Sequence, residues 1–445
     1  MKPRPSIFTG PVPSIPATKT KLSDLVHPSH PLVSLTAEKN WPTFDLQFGC
    51  YYSDDQGRPA LPTRLLVGLH YLKYAHDLSD EATVQEFLEN PYWQYFCGNE
   101  YFEHALPCHP TTLSRWRNRI GIKGSEAMLK ETIELGRRKK IIPDAELSRV
   151  AVDTTVQEKA ITYPTDAKLY HKARQRLVVE CRKLAIKLRQ TYVRSGPKVL
   201  LQHARYRHQK KSKLAKRALK KLKTFLGRVI RDIRRQLPDP PPAMRLLLAQ
   251  AVSILNRHPK QKDKIYSLHA PEVSCIAKGK AKKKYEFGSK VSIATTAKSC
   301  WVLAVQSFQG NPYDGHTLSD TLWMIKNLHN FWPEEVYLDQ GYKGFDSLIW
   351  GSKAYIAGKA KNPPPNIKRR SSIEPVIGHM KHDHRLGRNH LLGAKGDGIN
   401  AVMSGAGFNL RKLMAIVYVG IKRIFERFCF LLGLNHSLNS APSMA

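Results

Sequence analysis

The fold is decided by the stretch RVAVDTTV at residues 149–156, whose β-branched, apolar composition is typical of a buried strand. Asp153 ends the apolar run within this stretch. A second short apolar run, residues 336–338, ends in the same way with Asp339. In open α/β sheets, functional groups gather beyond the carboxyl ends of neighbouring strands. The two stretches therefore predict an α/β domain with a pair of carboxylates at one edge of its sheet.

A third carboxylate, Glu374, opens an amphipathic stretch at residues 373–381. Arg370 lies four residues before it and Lys381 seven residues after it, so both basic side chains share its face of a helix. Each acidic residue also has a structural interpretation, because strand-ending aspartates form Asx turns and a serine three residues before Glu374 could complete a capping box. The combination of all three favours a metal site.

Mg²⁺ is a hard cation that prefers oxygen ligands, of which one or two are usually carboxylates. Two such ions about 3.5–4 Å apart can activate the attacking oxygen and stabilise the leaving oxygen of a phosphoryl transfer. We predict that Asp153, Asp339 and Glu374 are both the catalytic residues and the ligands of two Mg²⁺ ions, with Asp153 shared between them. Mn²⁺ could substitute for Mg²⁺.

The charge of the chain is strongly unbalanced, with 72 Lys and Arg against 36 Asp and Glu over 445 residues. Residues 168–235 alone contain 24 basic and two acidic residues, arranged with the spacing of long helices. Solvated helix faces normally mix both signs, so this excess favours a phosphate-bearing partner over a membrane surface. The predicted DNA contacts in this segment are Lys210, Lys211, Lys213, Lys216, Arg217, Lys220 and Lys221.

A short basic helix is predicted at residues 110–121, closed by Gly121. Its arginines, Arg115, Arg117 and Arg119, are predicted DNA contacts, as in the recognition element of a helix-turn-helix. A surface helix that packs through its apolar residues fits the same pattern equally well.

The chain is predicted to have an all-helical N-terminal domain, a mixed-sheet catalytic domain and a basic helical insertion that interrupts the latter. The predicted boundaries are a loosely ordered arm at 1–60, a helical DNA-binding or dimerisation domain at 61–145, the catalytic domain at 146–166 and 262–400, the insertion at 167–261 and a helical C-terminal tail at 401–445. The seven cysteines form no Cys-x-x-Cys pair, and no apolar run approaches the roughly 20 residues of a membrane span. We therefore expect a soluble, cytoplasmic protein.

With these motifs in place, the chain resembles the DDE transposases of bacterial insertion sequences, and most closely the insertion-sequence-five family. The resemblance extends from about residue 60 to about residue 415. The motifs that carry it are Val152-Asp153-Thr154-Thr155, Leu338-Asp339-Gln340-Gly341-Tyr342 and Arg370-x3-Glu374-x6-Lys381.

The resemblance implies a ribonuclease-H-like mixed sheet interrupted by an insertion. It also implies cleavage at terminal inverted repeats and transfer of the freed 3′-OH into target DNA, with Arg370 and Lys381 on the DNA near the reacting phosphate. The partners would be double-stranded DNA and a second copy of the chain, in a nucleoid-associated complex. Relatives with the full signature have a tyrosine where this chain has Ile367, so a hairpin intermediate does not follow from the resemblance.

Two alternatives remain open from the sequence. A ribonuclease-H-like nuclease or junction resolvase would share the metal chemistry but would not join strands. A DNA-packaging or regulatory protein would bind DNA without any reaction, and its carboxylates would be turn residues.

Overall fold

The structure is a computed structural model that describes residues 20–52, 59–258, 261, 264–277, 284–343, 351–358 and 365–431. The chain divides into two compact units. The first unit comprises Met1–Leu72, Leu78–Ser114 and Leu413–Ala445, and the second comprises Lys73–Asp77 and Arg115–Lys412. The outer parts of the predicted arm and tail, residues 1–19 and 432–445, lie outside the described residues.

The regular secondary structure described in the first unit is helical, apart from an isolated β-bridge between Lys21 and Tyr101. Its core is aromatic, since Trp41 packs edge-on against Phe96 and Phe44 packs against Phe48 and Tyr71. Its helices are α1 (Leu22–Leu25), α2 (Pro31–Glu38), α3 (Trp41–Gly49), α4 (Thr63–Ala75), α5 (Asp80–Glu89) and α6 (Pro91–Phe96).

The prediction of a loosely ordered arm at residues 1–60 is wrong for residues 20–52, which contain α1, α2 and α3. The prolines of this segment suggested loops, but they occupy the first positions of α2 and α3, where the missing N–H costs no helix bond. Leu32, Phe44 and Phe48 are each at most 2% exposed, so the segment contributes to the core.

Helix α7 (Pro110–Arg138) contains a break at Gly121, whose φ of 63° is left-handed. The basic helix predicted at 110–121 therefore ends at the glycine as expected, because glycine adopts this conformation without a steric penalty. The side chain of His109 accepts the Thr111 N–H at 3.3 Å and caps the first turn.

The second unit is built around one mixed sheet. Its strands are β1 (Arg149–Lys159), β2 (Ser274–Ala277), β3 (Tyr285–Thr296), β4 (Val302–Phe308), β5 (Glu335–Leu338), β6 (Lys353–Ile356) and β7 (Arg388–Asn389). The central strand β1 runs antiparallel to β3 and parallel to β5, and β6 continues the sheet parallel to β5. Strands β2 and β4 pair with different parts of β3, and β7 pairs with the far end of β1.

The strands predicted at residues 149–156 and 336–338 are present as β1 and β5, and the strand-like sequences at residues 273–276, 285–295 and 301–308 form β2, β3 and β4. Strands β6 and β7 were not predicted, because each is too short to show a periodicity. Short helices η1 (Asp144–Glu146) and η2 (Pro365–Ser372) are of the 3₁₀ type. Helices α12 (Asp314–His329), α13 (Ile373–Asp383) and α14 (Gly393–Leu431) complete the unit, and α14 runs on into the first unit.

The boundary predicted between residues 400 and 401 is wrong, because it falls inside the continuous helix α14. Two polar residues of this helix, Asp397 and Asn400, lie just before the predicted boundary. They are buried and bonded to β1: Lys159 donates to Asp397, and Asn400 donates to Gln157. The same helix is therefore needed by the sheet.

The basic insertion leaves the sheet after β1 and consists of α8 (Asp166–Lys183), α9 (Ser195–His208), α10 (Ser212–Gln236) and α11 (Pro242–Leu255). These helices share an apolar core of their own, in which Leu177, Leu226 and Ile233 are fully buried. The lysines and arginines of the segment therefore surround a packed helical subdomain. No helix in the described part of the chain has the length and apolarity to cross a membrane.

Candidate active site

Asp153 and Asp339 lie beside each other, but the predicted strand-end position is wrong for Asp153: β1 continues past it to Lys159, whereas Asp339 directly follows the last residue of β5. Val152 of β1 is opposite Leu338 of the parallel strand β5, so the two aspartates occupy the next position along each strand. Each carboxylate also accepts a hydrogen bond of 2.7 Å from the backbone N–H of the following residue. These bonds reach the adjacent residue, whereas an Asx turn bonds the N–H two residues on, so they are not the turns considered from sequence.

Arg370 links Asp339 to Glu374. Its guanidinium lies 3.1 Å from Asp339 Oδ1 and 3.0 Å from Glu374 Oε1. Arg370 comes from the end of η2, which packs against β1 and β5, and Glu374 lies in the first turn of α13. The apolar side of α13, with Ile373 and Met380 fully buried, holds this turn against the sheet. One side chain therefore couples the strand-borne and helix-borne carboxylates.

The capping box considered for Glu374 is not formed. Ser372 precedes α13 without a side-chain capping bond, and the Ser371 hydroxyl donates to the Lys368 carbonyl at 3.0 Å. Glu374 is left with its side chain 59% exposed and with Arg370 as its ion-pair partner.

A fourth carboxylate, Asp314, was missed by the sequence analysis. It accepts a hydrogen bond from Thr154 Oγ1 at 2.8 Å and lies 2.9 Å from Lys290 Nζ, which also donates to the Pro312 carbonyl at 2.6 Å. Asp314 is the first residue of α12, where an acidic side chain is favourable for the helix dipole and therefore looks purely structural in a sequence. Its contact with the neighbour of Asp153 depends on the register of β1 with β3.

The Tyr342 side chain lies near these carboxylates and is only 1% exposed. Burial raises the pKa of its hydroxyl well above the ordinary range, and the nearby charges of Asp153, Asp314 and Asp339 raise it further. Tyr342 is therefore an uncharged, buried side chain beside the carboxylates.

The donor chemistry of the site suits Mg²⁺, because Asp153, Asp339 and Glu374 offer only carboxylate oxygens. Within the described residues, however, no three acidic, histidine or cysteine side chains are grouped closely enough to hold a metal ion. The Arg370 guanidinium occupies oxygens of Asp339 and Glu374 that a divalent cation would use. A metal-holding arrangement of these three carboxylates requires Arg370 to turn away.

The predicted DNA-contacting residues are mostly at the surface. Arg115 and Arg119 are exposed, and Lys381 is half-buried on α13. The prediction is wrong for Arg117, which is only 3% exposed and cannot present its guanidinium to a DNA surface. Arg117 is two residues from both Arg115 and Arg119, which places it on the opposite side of the helix. The seven predicted contacts of the insertion are all exposed: Lys210, Lys211, Lys213, Lys216, Arg217, Lys220 and Lys221.

Two comparisons with known proteins bear on this chain. Residues 20–119 match a family described as a transposase domain (DUF772). Over 190 residues, 43% of this chain, the sequence is 46% identical to a protein from Rhizobium meliloti described as "Uncharacterized protein ORF8 in nfe locus", of which 91% is covered. No solved structure matches the chain.

These matches identify the class of protein. The chain carries a transposase domain in its N-terminal part and belongs to the same family as the rhizobial protein.

Proposed function

We propose that the chain is a DDE-class DNA transposase whose second unit is a ribonuclease-H-like catalytic domain. The observation that carries the proposal is the pairing of Val152 with Leu338, which brings Asp153 and Asp339 side by side, and the ion pairs by which Arg370 links Asp339 to Glu374. A mixed sheet interrupted by an insertion after its first strand is also what the resemblance to insertion-sequence transposases implies.

Asp153, Asp339 and Glu374 would hold two Mg²⁺ ions, for which Mn²⁺ could substitute. When bound, the ions would activate the attacking oxygen and stabilise the leaving oxygen at the scissile phosphate. Arg370 would exchange its two carboxylates for a DNA phosphate, since guanidinium binds either group in a similar forked geometry. Lys381, further along α13, would bind a flanking phosphate.

The substrate would be double-stranded DNA with the terminal inverted repeats of an insertion sequence, followed by target DNA that receives the freed 3′-OH strands. Arg115 and Arg119 are exposed on one helix and would contact the backbone of the element end. A homodimer is the simplest assembly that brings two element ends together.

The test is a strand-transfer assay with Mg²⁺, labelled DNA carrying the element's ends and an acceptor plasmid. Wild type is compared with Asp339→Asn and with Asp320→Asn, an exposed aspartate of α12 that serves as the matched control. Joined products from wild type and control, but not from Asp339→Asn, support the proposal, provided that all three proteins bind the labelled DNA equally.

Two results would contradict it. Cleavage without joining would favour the nuclease alternative, and binding without either product at any concentration of Mg²⁺ or Mn²⁺ would favour a DNA-binding protein without catalysis.

A further inference from the structure

The insertion carries a continuous basic stripe along α10. Lys213, Arg217, Lys220, Arg228, Arg231 and Arg235 follow one another at intervals that keep them on one face of the helix, with Thr224 completing the series. All six basic residues are exposed, whereas Leu222, Leu226 and Ile233 on the other side are buried in the core of the insertion. At about 1.5 Å per residue the stripe is about 33 Å long, close to one turn of B-form DNA.

At its C-terminal end the stripe enters a pocket of about 270 Å³. Arg228, Arg231 and Arg235 of α10 line one side, and Arg189 and Tyr192 of the loop between α8 and α9 line the other. The only carboxylate in the lining is Asp232, so four guanidinium groups share one acidic side chain.

Asp232 offsets only part of the positive charge of this pocket, because its single carboxylate faces four guanidinium groups and is paired with those of Arg189, at 4.0 Å, and Arg235, at 3.3 Å. It is 5% exposed and accepts hydrogen bonds from the Arg189 backbone N–H at 2.7 Å, from Gln236 at 3.2 Å and from Arg235 at 3.3 Å. The bonded partner of Arg228 is the uncharged Tyr192 hydroxyl, at 3.2 Å. Arg228 therefore keeps its charge available in the pocket.

The loop that forms the other side is held in place by several contacts. Arg174, itself 2% exposed, donates to the Thr191 carbonyl at 2.7 Å. Tyr192 has a φ of 54°, which is unfavourable for a bulky residue, and stacks on Phe225 with ring centres 4.2 Å apart. A strained residue persists only when its surroundings stabilise it, so the pocket is organised before any ligand arrives.

Helix stability does not explain these arginines. Basic residues in the last turn of a helix interact favourably with its dipole, which accounts for Arg235. Arg228 lies more than two turns before the end, and Arg189 belongs to another segment. Like charges three or four residues apart destabilise an isolated helix, so Arg228, Arg231 and Arg235 together oppose folding unless an anion compensates them.

We propose that this pocket binds a backbone phosphate of duplex DNA, and that the stripe along α10 holds the adjoining phosphates independently of sequence. Guanidinium groups bind phosphate through paired, charge-assisted hydrogen bonds. The continuous stripe favours an extended polyanion as the occupant, because a free phosphate ion would need the pocket alone. The inference rests on the proposed function only in taking DNA as the substrate, and it assigns DNA binding to a site separate from the carboxylates.

The test measures binding of the full-length protein to a duplex of arbitrary sequence by fluorescence anisotropy over a series of NaCl concentrations. The pocket variant is Arg228→Gln/Arg231→Gln. The control is Arg182→Gln/Lys198→Gln, which removes the same charge from exposed positions of the insertion that do not line the pocket. Arg189→Gln, with a side chain 75% exposed, provides a second pocket variant that leaves α10 intact.

Each lost phosphate contact should make the plot of log binding constant against log salt concentration shallower by about 0.9, so the double pocket variant should lose about 1.8. For the control variant, the slope of this plot should change by less than half as much. Equal losses in both double variants would show a general charge effect and overturn the proposal, as would unchanged binding by the double variant and Arg189→Gln.

Calorimetric titration with inorganic phosphate tests whether the pocket binds a free phosphate ion instead of a DNA phosphate. Saturable phosphate binding that the pocket variant loses, without a change in its DNA binding, would assign the pocket to a free anion and overturn the proposal. The salt series is repeated in an Asp153→Asn background, which removes a proposed catalytic carboxylate. The effect of the pocket should persist there, so failure of the catalytic proposal and failure of this one are separate results.

Discussion

Replacing Lys159 by methionine should destabilise the second unit strongly. Lys159 ends β1, and its ammonium lies 2.7 Å from Asp397 Oδ1 and 2.9 Å from Glu272 Oε1. The Lys159 and Asp397 side chains are each only 3% exposed, and that of Glu272 is 11% exposed. Methionine fills a similar volume but leaves the carboxylates of Asp397 and Glu272 without the Lys159 ammonium.

Removing one partner of a buried ion pair typically costs about 3–5 kcal/mol of the free energy of unfolding. At about 2.1 cal/mol/K of unfolding entropy per residue, each kcal/mol lowers the melting temperature of the second unit, with its roughly 300 residues, by about 1.6 °C, so Lys159→Met should melt about 5–8 °C lower. Differential scanning calorimetry of the full chain measures this shift. Lys298→Met is the control, because Lys298 is 77% exposed and 3.9 Å from Glu146, where an ion pair contributes at most about 1 kcal/mol.

The deficit should also depend on pH. Burial raises the pKa of Asp397 above its ordinary value, and Lys159 partly counteracts this. A raised pKa in the folded state gives stability that is present at low pH and is lost as the pH rises through the folded pKa. Because the variant lacks the opposing effect of Lys159, its deficit should be smaller near pH 5 than near pH 8. Equal melting temperatures for the two lysine variants, or a deficit independent of pH, would refute this reasoning.

Three further predictions concern the candidate site and the DNA surface. Arg370→Gln should tighten Mn²⁺ binding in the absence of DNA, measured by calorimetry, because Asp339 and Glu374 lose the guanidinium that competes for their oxygens; weaker binding would count against this role. Asp314→Asn should reduce the rate of strand cleavage about 10- to 100-fold with DNA affinity unchanged, because Asp314 holds Thr154, whose backbone N–H binds the proposed metal ligand Asp153; an unaltered rate would exclude a role for Asp314 in cleavage. Arg119→Gln should weaken DNA binding without changing the melting temperature, whereas Arg117→Gln should lower the melting temperature because Arg117 is buried; the reverse pattern would restore Arg117 as a DNA contact.

Much of the candidate site could be predicted from local sequence. The apolar runs before Asp153 and Asp339 both lie in strands, although β1 continues past Asp153 to Lys159, and the helix that begins near Glu374 has a regular apolar stripe. The N-cap of α5 is equally local, since the Ser79 side chain accepts the Ala82 N–H at 3.1 Å. Such features depend on residues a few positions apart, which is why a single sequence shows them.

Contacts between distant segments could not be predicted in this way. Asp314 meets Thr154 across 160 residues, and Asp397 meets Lys159 across 238 residues. The burial of Arg117 and the helices inside the supposed N-terminal arm likewise depend on what packs against them. The ligand roles of Asp153, Asp339 and Glu374 and the surface DNA contacts stay predictions.

The sequence by itself determined the periodicity of the main strands and helices, the excess of positive charge and the three carboxylate positions, because each is a property of neighbouring residues. Only the tertiary structure decided that Arg370 spans Asp339 and Glu374, that α14 is required by β1, and that arginines from α10 and a separate loop line one pocket. Those arrangements follow from the register of the sheet and from the packing of the insertion's own core. Both depend on pairings across the whole chain, which no local pattern encodes.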